Sequence, residues 1–124
     1  MVGGQSRGSH LLLDYRNYSS TEENDGRWML HLIRECVRES GIREVHSHVE
    51  IFDGGLSPPG FAAVVLIDES HVTAHCYSEI GLLAIDVFTC GDHDPDGVAE
   101  LIHERLISED ASIVLDKRQR VDRF

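Results

Sequence analysis

The chain is poor in cysteine, proline, aromatic residues and positive charge, and each shortage removes a class of protein. Its three cysteines, Cys36, Cys76 and Cys90, are odd in number and show no CxxC spacing. A disulfide framework is therefore not expected, and the expected compartment is a reducing cytoplasm. The three prolines fall in only two places, Pro58-Pro59 and Pro95, which leaves long stretches free to form helices and ladders. Lys and Arg number 11 against 22 Asp and Glu, a formal net charge of −11. A surface of that sign repels phosphate, so neither nucleic acid nor an anionic membrane is an expected partner, whereas a cationic small ligand suits it. Every apolar run falls well short of the roughly 20 residues of a membrane helix. The N-terminus has no basic-then-apolar secretion pattern.

What remains is enough for one ordinary domain, residues 1–124. Two-fifths of the 124 residues are hydrophobic, which can fill a single core. Residues 1–9, rich in Gly and Ser, read as a mobile start. His10 to Tyr15 reads as a strand. Asn24 or Asp25 can cap a helix whose stripe is Trp28, Met29, Leu32, Ile33, Cys36 and Val37, stopped at Ser40-Gly41. Val45 to Phe52 alternates as a strand, with Val45, Ser47, Val49 and Ile51 on one face. A turn region spans Asp53 to Gly60. Phe61 to Ile67 reads as a strand buried on both faces. Val72 to Tyr77 and Leu82 to Phe88 are two further strands. Asp94-Pro95 opens a second helix, with Val98, Leu101, Ile102 and Leu106 as its stripe. Ile113 to Leu115 is a last strand, followed by a basic tail expected to fray.

The middle connections are too short for crossover helices, so these strands pair antiparallel. The expected fold is α+β: an antiparallel sheet with two helices on one face, a two-layer sandwich. The uncovered face is expected to bury itself against a second copy, giving a homodimer.

One stretch concentrates reactive side chains: Asp68-Glu69-Ser70-His71-Val72-Thr73-Ala74-His75, answered by Phe88-Thr89-Cys90-Gly91. From spacing alone it is read either as a polar hairpin end with a small core cysteine or as a site. A Ser-His-Asp hydrolase fits poorly, since Ser70 lies in no GxSxG elbow. His46 and His48 share a strand face as a metal pair would, but no third ligand stands at a recognisable spacing, so no metal is expected. Asp92 to Gly97 opens like a calcium loop, but Pro95 intrudes and His103 stands where the bidentate glutamate belongs, so calcium is rejected. Asp86, alone in an apolar strand, needs a partner; a nearby histidine is the expectation.

Glu69-Ser70-His71, then His75, Glu79 and Asp86-Val87-Phe88-Thr89-Cys90-Gly91 resemble the bacterial and archaeal S-adenosylmethionine decarboxylases, as does Ser9-His10-Leu11-Leu12-Leu13 near the start. The similarity is strongest from about Phe61 to Gly91. It implies a proenzyme that cleaves itself between Glu69 and Ser70. The Ser70 hydroxyl would attack the Glu69 carbonyl, and the remnant of Ser70 would become a pyruvoyl group heading residues 70–124. An amino-acid decarboxylation needs an electron sink that no ordinary side chain offers. A pyruvoyl ketone supplies one by forming an imine with the substrate amine. By resemblance, His75 is the proton-transfer residue of self-cleavage, Cys90 returns a proton to the substrate carbon, and Glu79 lies near the substrate. The implied role is S-adenosylmethionine decarboxylation for spermidine synthesis.

Two departures bear on that reading. Many members carry a serine eight residues before the cleavage serine, where this chain has Ala62; Ser57 or Thr73 could take its part. Trp-Pro often precedes the glutamate, where this chain has Tyr77-Ser78. These changes keep two alternatives in view: a pyruvoyl decarboxylase of a smaller basic amino acid such as arginine or ornithine, and an unprocessed, non-catalytic homologue.

Overall fold

A computed structural model describes residues 7–124. The elements are β1 (Gly8–Arg16), α1 (Asp25–Glu39), β2 (Glu44–Phe52), β3 (Gly60–Ile67), β4 (Ser70–Tyr77), β5 (Leu82–Cys90), α2 (Pro95–Glu109) and β6 (Val114–Arg123). They form the expected α+β architecture, one six-stranded sheet in the order β2-β3-β4-β5-β1-β6, antiparallel at every pairing. Among the described residues no helix is long and apolar enough to cross a membrane.

Period-two alternation sorts the strands into two faces. Leu11, Leu13 and Tyr15 of β1, Phe61, Ala63, Val65 and Ile67 of β3, and Leu83, Ile85 and Val87 of β5 are buried together with Met29, Ile33 and Val37 of α1 and Val98, Ile102 and Leu106 of α2. Each large apolar side chain removed from water here contributes about 1.5–3 kcal/mol, so this layer holds the fold. Both helices start where the sequence says. Asn24 Oδ1 accepts the Arg27 amide at 3.1 Å, and Asp94 Oδ1 accepts the Asp96 amide at 3.0 Å with Pro95 in the first turn. Gly26 lies where α1 begins over β2 and β3: a Cβ there would fall 2.4 Å from Ile51 Cδ1 and 3.0 Å from Phe61 Cβ. Arg105 of α2 donates to Glu35 at 2.8 Å and Glu39 at 2.7 Å, tying the helices together.

Several expectations need correction. Gly8 and Ser9 belong to β1 rather than to a mobile start, and residues 1–6 lie outside the described residues. The C-terminal tail is not frayed. It forms β6 along β1, and from it Arg118 reaches Asp96 and Glu100 of α2 at 2.7 and 2.8 Å, while Arg120 reaches Asp96 at 2.8 Å. Val45 does not share a face with Ser47, Val49 and Ile51. A bulge between Glu44 and His46 turns it out, 53% exposed, because an extra residue shifts the alternation. Strand β3 is buried on one face only: Ala62 and Val64 are half-buried and Leu66 is exposed, since both helices lie on the opposite side.

Candidate active site

The face without helices is best described in rows, because partners in register point to the same side. Across the sheet the first row runs His46, Leu66, His71, Phe88, His10, Val121; the second runs His48, Val64, Thr73, Asp86, Leu12, Gln119. The third runs Glu50, Ala62, His75, Ala84, Asp14, Lys117, and the fourth carries Phe52, Gly60, Tyr77 and Leu82. Beyond the first row, Gly8 pairs with Cys90.

Ser70 opens β4 at the first-row end. It follows a two-residue turn, Asp68-Glu69, in which Glu69 holds φ +59°. Two-residue hairpin turns that need positive φ favour Gly or Asn, and a non-glycine residue held there costs about 1–3 kcal/mol. The strained residue is the one whose carbonyl precedes Ser70. The Ser70 hydroxyl is itself buried without a hydrogen-bond partner.

On the open face, beside the start of β4, three rings meet. His10 and His71 meet edge-on with centroids 5.9 Å apart, and Phe88 lies 5.8 Å from His10 and 5.5 Å from His71. Burial, then the neighbouring His10, lowers the His71 pKa below the ordinary imidazole value, while Asp86 opposes both. The Arg123 guanidinium sits 5.9 Å over the Phe88 ring. Cys90 is half-buried beside this group, whereas burial pushes the thiols of Cys36 and Cys76 up to about 11. Asp86 is half-buried, and its partner is Thr73, whose hydroxyl donates to it at 3.3 Å. The expected histidine partner is replaced because Thr73, not a histidine, stands opposite it in register.

The structure brings Ser70 and Cys90 to one end of the sheet and leaves His75 at the other; Ser70 shares the covered side with its register partner Ile67, whereas Cys90 and His75 lie on the open side. His75 is five residues along β4 from Ser70, about 17 Å at strand rise. It is flanked in register by Ala62 and Ala84. The position without the family's serine hydroxyl is therefore the direct neighbour of the imidazole. Of the two stand-ins, Thr73 is already bonded to Asp86, and Ser57 lies exposed in the loop before β3. Glu79 is exposed in the β4–β5 turn, nearer His75 than Ser70. A cavity of about 280 Å³ lies at this end, lined by His75, Tyr77, Asp14, Leu82 and Lys117 among others. His46 and His48 are exposed, and His48 pairs with Glu50 at 2.8 Å. Among the described residues no group of three His, Cys, Asp or Glu side chains could hold a metal ion.

Fold and site together define a two-layer sandwich with a thiol and imidazoles on its uncovered face and a buried serine at the adjoining end of β4. Residues 9–119 match the family model described as S-adenosylmethionine decarboxylase, and the chain belongs to that family. It is 32% identical over 114 residues to the S-adenosylmethionine decarboxylase proenzyme of Clostridium tetani, covering 90% of this chain and 86% of that protein. It is 35% identical over 102 residues to proenzyme 1 of Bacillus cereus, covering 80% and 74%. The crystal structure of the adenosylmethionine decarboxylase from Aquifex aeolicus is similar with a TM-score of 0.69 and 26% identity, over 96% of this chain and 92% of that one.

In the sequence His10 and Phe88 stand out only as members of the motifs Ser9-His10-Leu11-Leu12-Leu13 and Asp86-Val87-Phe88-Thr89-Cys90-Gly91. The available signal was alternation: His10, Leu12 and Asp14 take one face while Leu11, Leu13 and Tyr15 take the other.

Proposed function

We propose that this protein is a pyruvoyl-dependent S-adenosylmethionine decarboxylase that makes its own cofactor by cleaving between Glu69 and Ser70. The observation that carries the reading is the strained Glu69 at φ +59° leading into a buried Ser70 hydroxyl with no partner. Strain in the peptide unit is relieved when the chain breaks there. An unengaged hydroxyl keeps its lone pairs for the neighbouring carbonyl. Attack of Ser70 Oγ on the Glu69 carbonyl carbon moves the acyl bond from nitrogen to oxygen. Loss of the Ser70 α-proton then expels the Glu69 carboxylate, and hydrolysis of the enamine remnant releases ammonia and leaves a ketone at position 70. These residues fit a pyruvoyl group, which supplies an electron sink for a carbanion.

The remaining roles belong to the chain's own side chains. Cys90, half-buried at the same end, holds the proton that returns to the substrate carbon. Asp86 and the chain's net negative charge favour a cationic substrate, and S-adenosylmethionine carries a sulfonium. His75 lies too far along β4 to serve Ser70 of its own chain. It serves the Ser70 of a second copy, and the dimer forms through the open face, where Phe52, Leu66, Tyr77, Leu82 and Val121 are exposed. An apolar surface of that kind suits a partner of the same shape.

Two experiments test this. Ser70→Ala should remain a single full-length chain with no carbon dioxide release from S-adenosylmethionine, while the parent yields two fragments. Co-expression of Ser70→Ala with His75→Ala should restore cleavage of the chain that keeps Ser70, because the partner lends it an imidazole. If neither variant cleaves alone and the mixture also fails, the exchange between copies is wrong.

A further inference from the structure

Among the described residues, two buried side-chain polar atoms have no hydrogen-bond partner: Ser70 Oγ and His10 Nε2. Both lie at the same end of the sheet, His10 on the open face and Ser70 at the start of β4 on the side of its register partner Ile67. A buried polar atom left unpaired costs about 1–3 kcal/mol, so each such atom in a native fold needs a reason. The proposed function accounts for the first and leaves the second unexplained.

His10 enters from β1 and stands opposite Phe88, with Cys90 one residue pair further along β5 and His71 across the row. The Ser70 backbone directly precedes His71. Any molecule reacting at position 70 from the open side meets the row that His10 and His71 form. An amino-acid substrate arrives mainly as an ammonium ion at neutral pH, since free α-amino groups have pKa values of about 7.7–8.0. Only the neutral amine has the lone pair needed to attack a carbonyl carbon. The site therefore needs an acceptor for that proton, placed beside position 70 and not already engaged. His75 is too distant, and Asp86 already accepts from Thr73.

Resting on the decarboxylase reading above, we infer that His10 binds the substrate's α-ammonium group through Nε2 and takes its proton, releasing the free amine at position 70. The N–H bond of the substrate breaks, a bond from hydrogen to Nε2 forms, and the positive charge passes from the substrate to the ring. No oxidant or further reactant is needed. The titratable and charged groups facing His10 are His71 from β4, Asp86 and Cys90 from β5, and Arg123 from β6. The helices lie on the other side of the sheet.

The test uses the full chain and two variants. His10→Phe keeps a ring packed against Phe88 and His71 without either nitrogen. His10→Gln keeps a hydrogen-bonding group that cannot take a proton. Both should melt like the parent and, by intact mass, cleave completely, because the residue acts on the substrate and not on the peptide bond. In both, kcat/KM for S-adenosylmethionine should fall by on the order of 10²-fold, the usual size of a lost proton-transfer group. The sign of the pH effect follows from the role. The parent loses kcat/KM as acid protonates the imidazole, and in the variants that acid-side inflection should vanish, leaving a rise through the range where the substrate amine ionises. Turnover like the parent's, restoration by glutamine, an unchanged acid limb, or loss of self-cleavage in both variants would each overturn the assignment. A parent chain that neither cleaves nor releases carbon dioxide would instead overturn the decarboxylase reading beneath it.

Discussion

The two faces of one sheet make opposite use of the same alternation. On the covered face, the inward aliphatic positions could be swapped for other apolar residues of similar volume without changing what the face does. Polar groups there are paired along the strands, as where the Thr89 hydroxyl donates to the His93 carbonyl at 2.9 Å and the Tyr15 hydroxyl meets His103 Nδ1 at 2.7 Å, with the Ser70 hydroxyl at the start of β4 as the exception among the described residues. On the open face the same strands present His10, His71, His75, Asp86 and Cys90, and the unpaired His10 nitrogen lies there, close to the sheet end where the strained turn leads into Ser70. The apolar core lies on one side of the sheet and most of its titratable side chains on the other. A two-layer sandwich permits this because a side chain that faces away from the helices can change without opening the core.

Substitutions that act on one face alone sharpen the contrast. The largest effect is expected from Ser70→Ala, which should abolish cleavage and turnover while urea unfolding shows parental stability. Next comes Cys90→Ala. It should cleave normally by intact mass but lose on the order of 10²–10⁴ in kcat; full turnover would remove the thiol from its role. On the covered face, Ile85→Ala should cost about 2–5 kcal/mol in denaturant unfolding through the cavity it leaves. A loss below 1 kcal/mol would mean the core is looser than described.

Smaller effects are expected where the faces meet solvent. Ala62→Ser restores a hydroxyl beside His75 in register and should speed self-cleavage, followed by gel densitometry over time. A rate no different from the parent's would show that Ala62 is no handicap. His71 gives the smallest effect. Its pKa is lowered in the fold, chiefly by burial, so the folded chain binds fewer protons than the unfolded one as pH falls past the ordinary imidazole value of about 6.5. Its contribution is fully present above that pH and is lost below it. His71→Phe should flatten the decline in stability between pH 7.5 and 5.5, read by urea unfolding at both.

The covered face was largely legible in the sequence. The stripes of α1 and α2, the caps at Asn24 and Asp94-Pro95, and the apolar runs of β3 and β5 are local patterns that dictate local structure. Strand β6 was not legible. Lys117 to Arg123 contains one apolar residue, and its place is fixed by β1 alongside and by the acidic side chains of α2, which are contacts distant in sequence. An edge strand is charged on both faces, so it leaves no periodic signal. The bulge at Val45 was hidden for a similar reason, since pairing with β3 decides which residue is extra. At the site, Ser70, His75 and Cys90 were recognisable as a group from their resemblance to a family. Their separation to two ends of the sheet was not, because spacing along a strand becomes distance only once the strand is known to be extended. His10 was hidden in a motif. Its importance shows only in an atom that lacks a partner.

The most direct test of the central claim is the intact mass of the purified full-length chain after prolonged incubation. Two fragments are expected, residues 1–69 ending in a free carboxylate and residues 70–124 lighter by one ammonia than a serine-headed fragment. A single unbroken chain of 124 residues, or a second fragment still headed by serine, would contradict it.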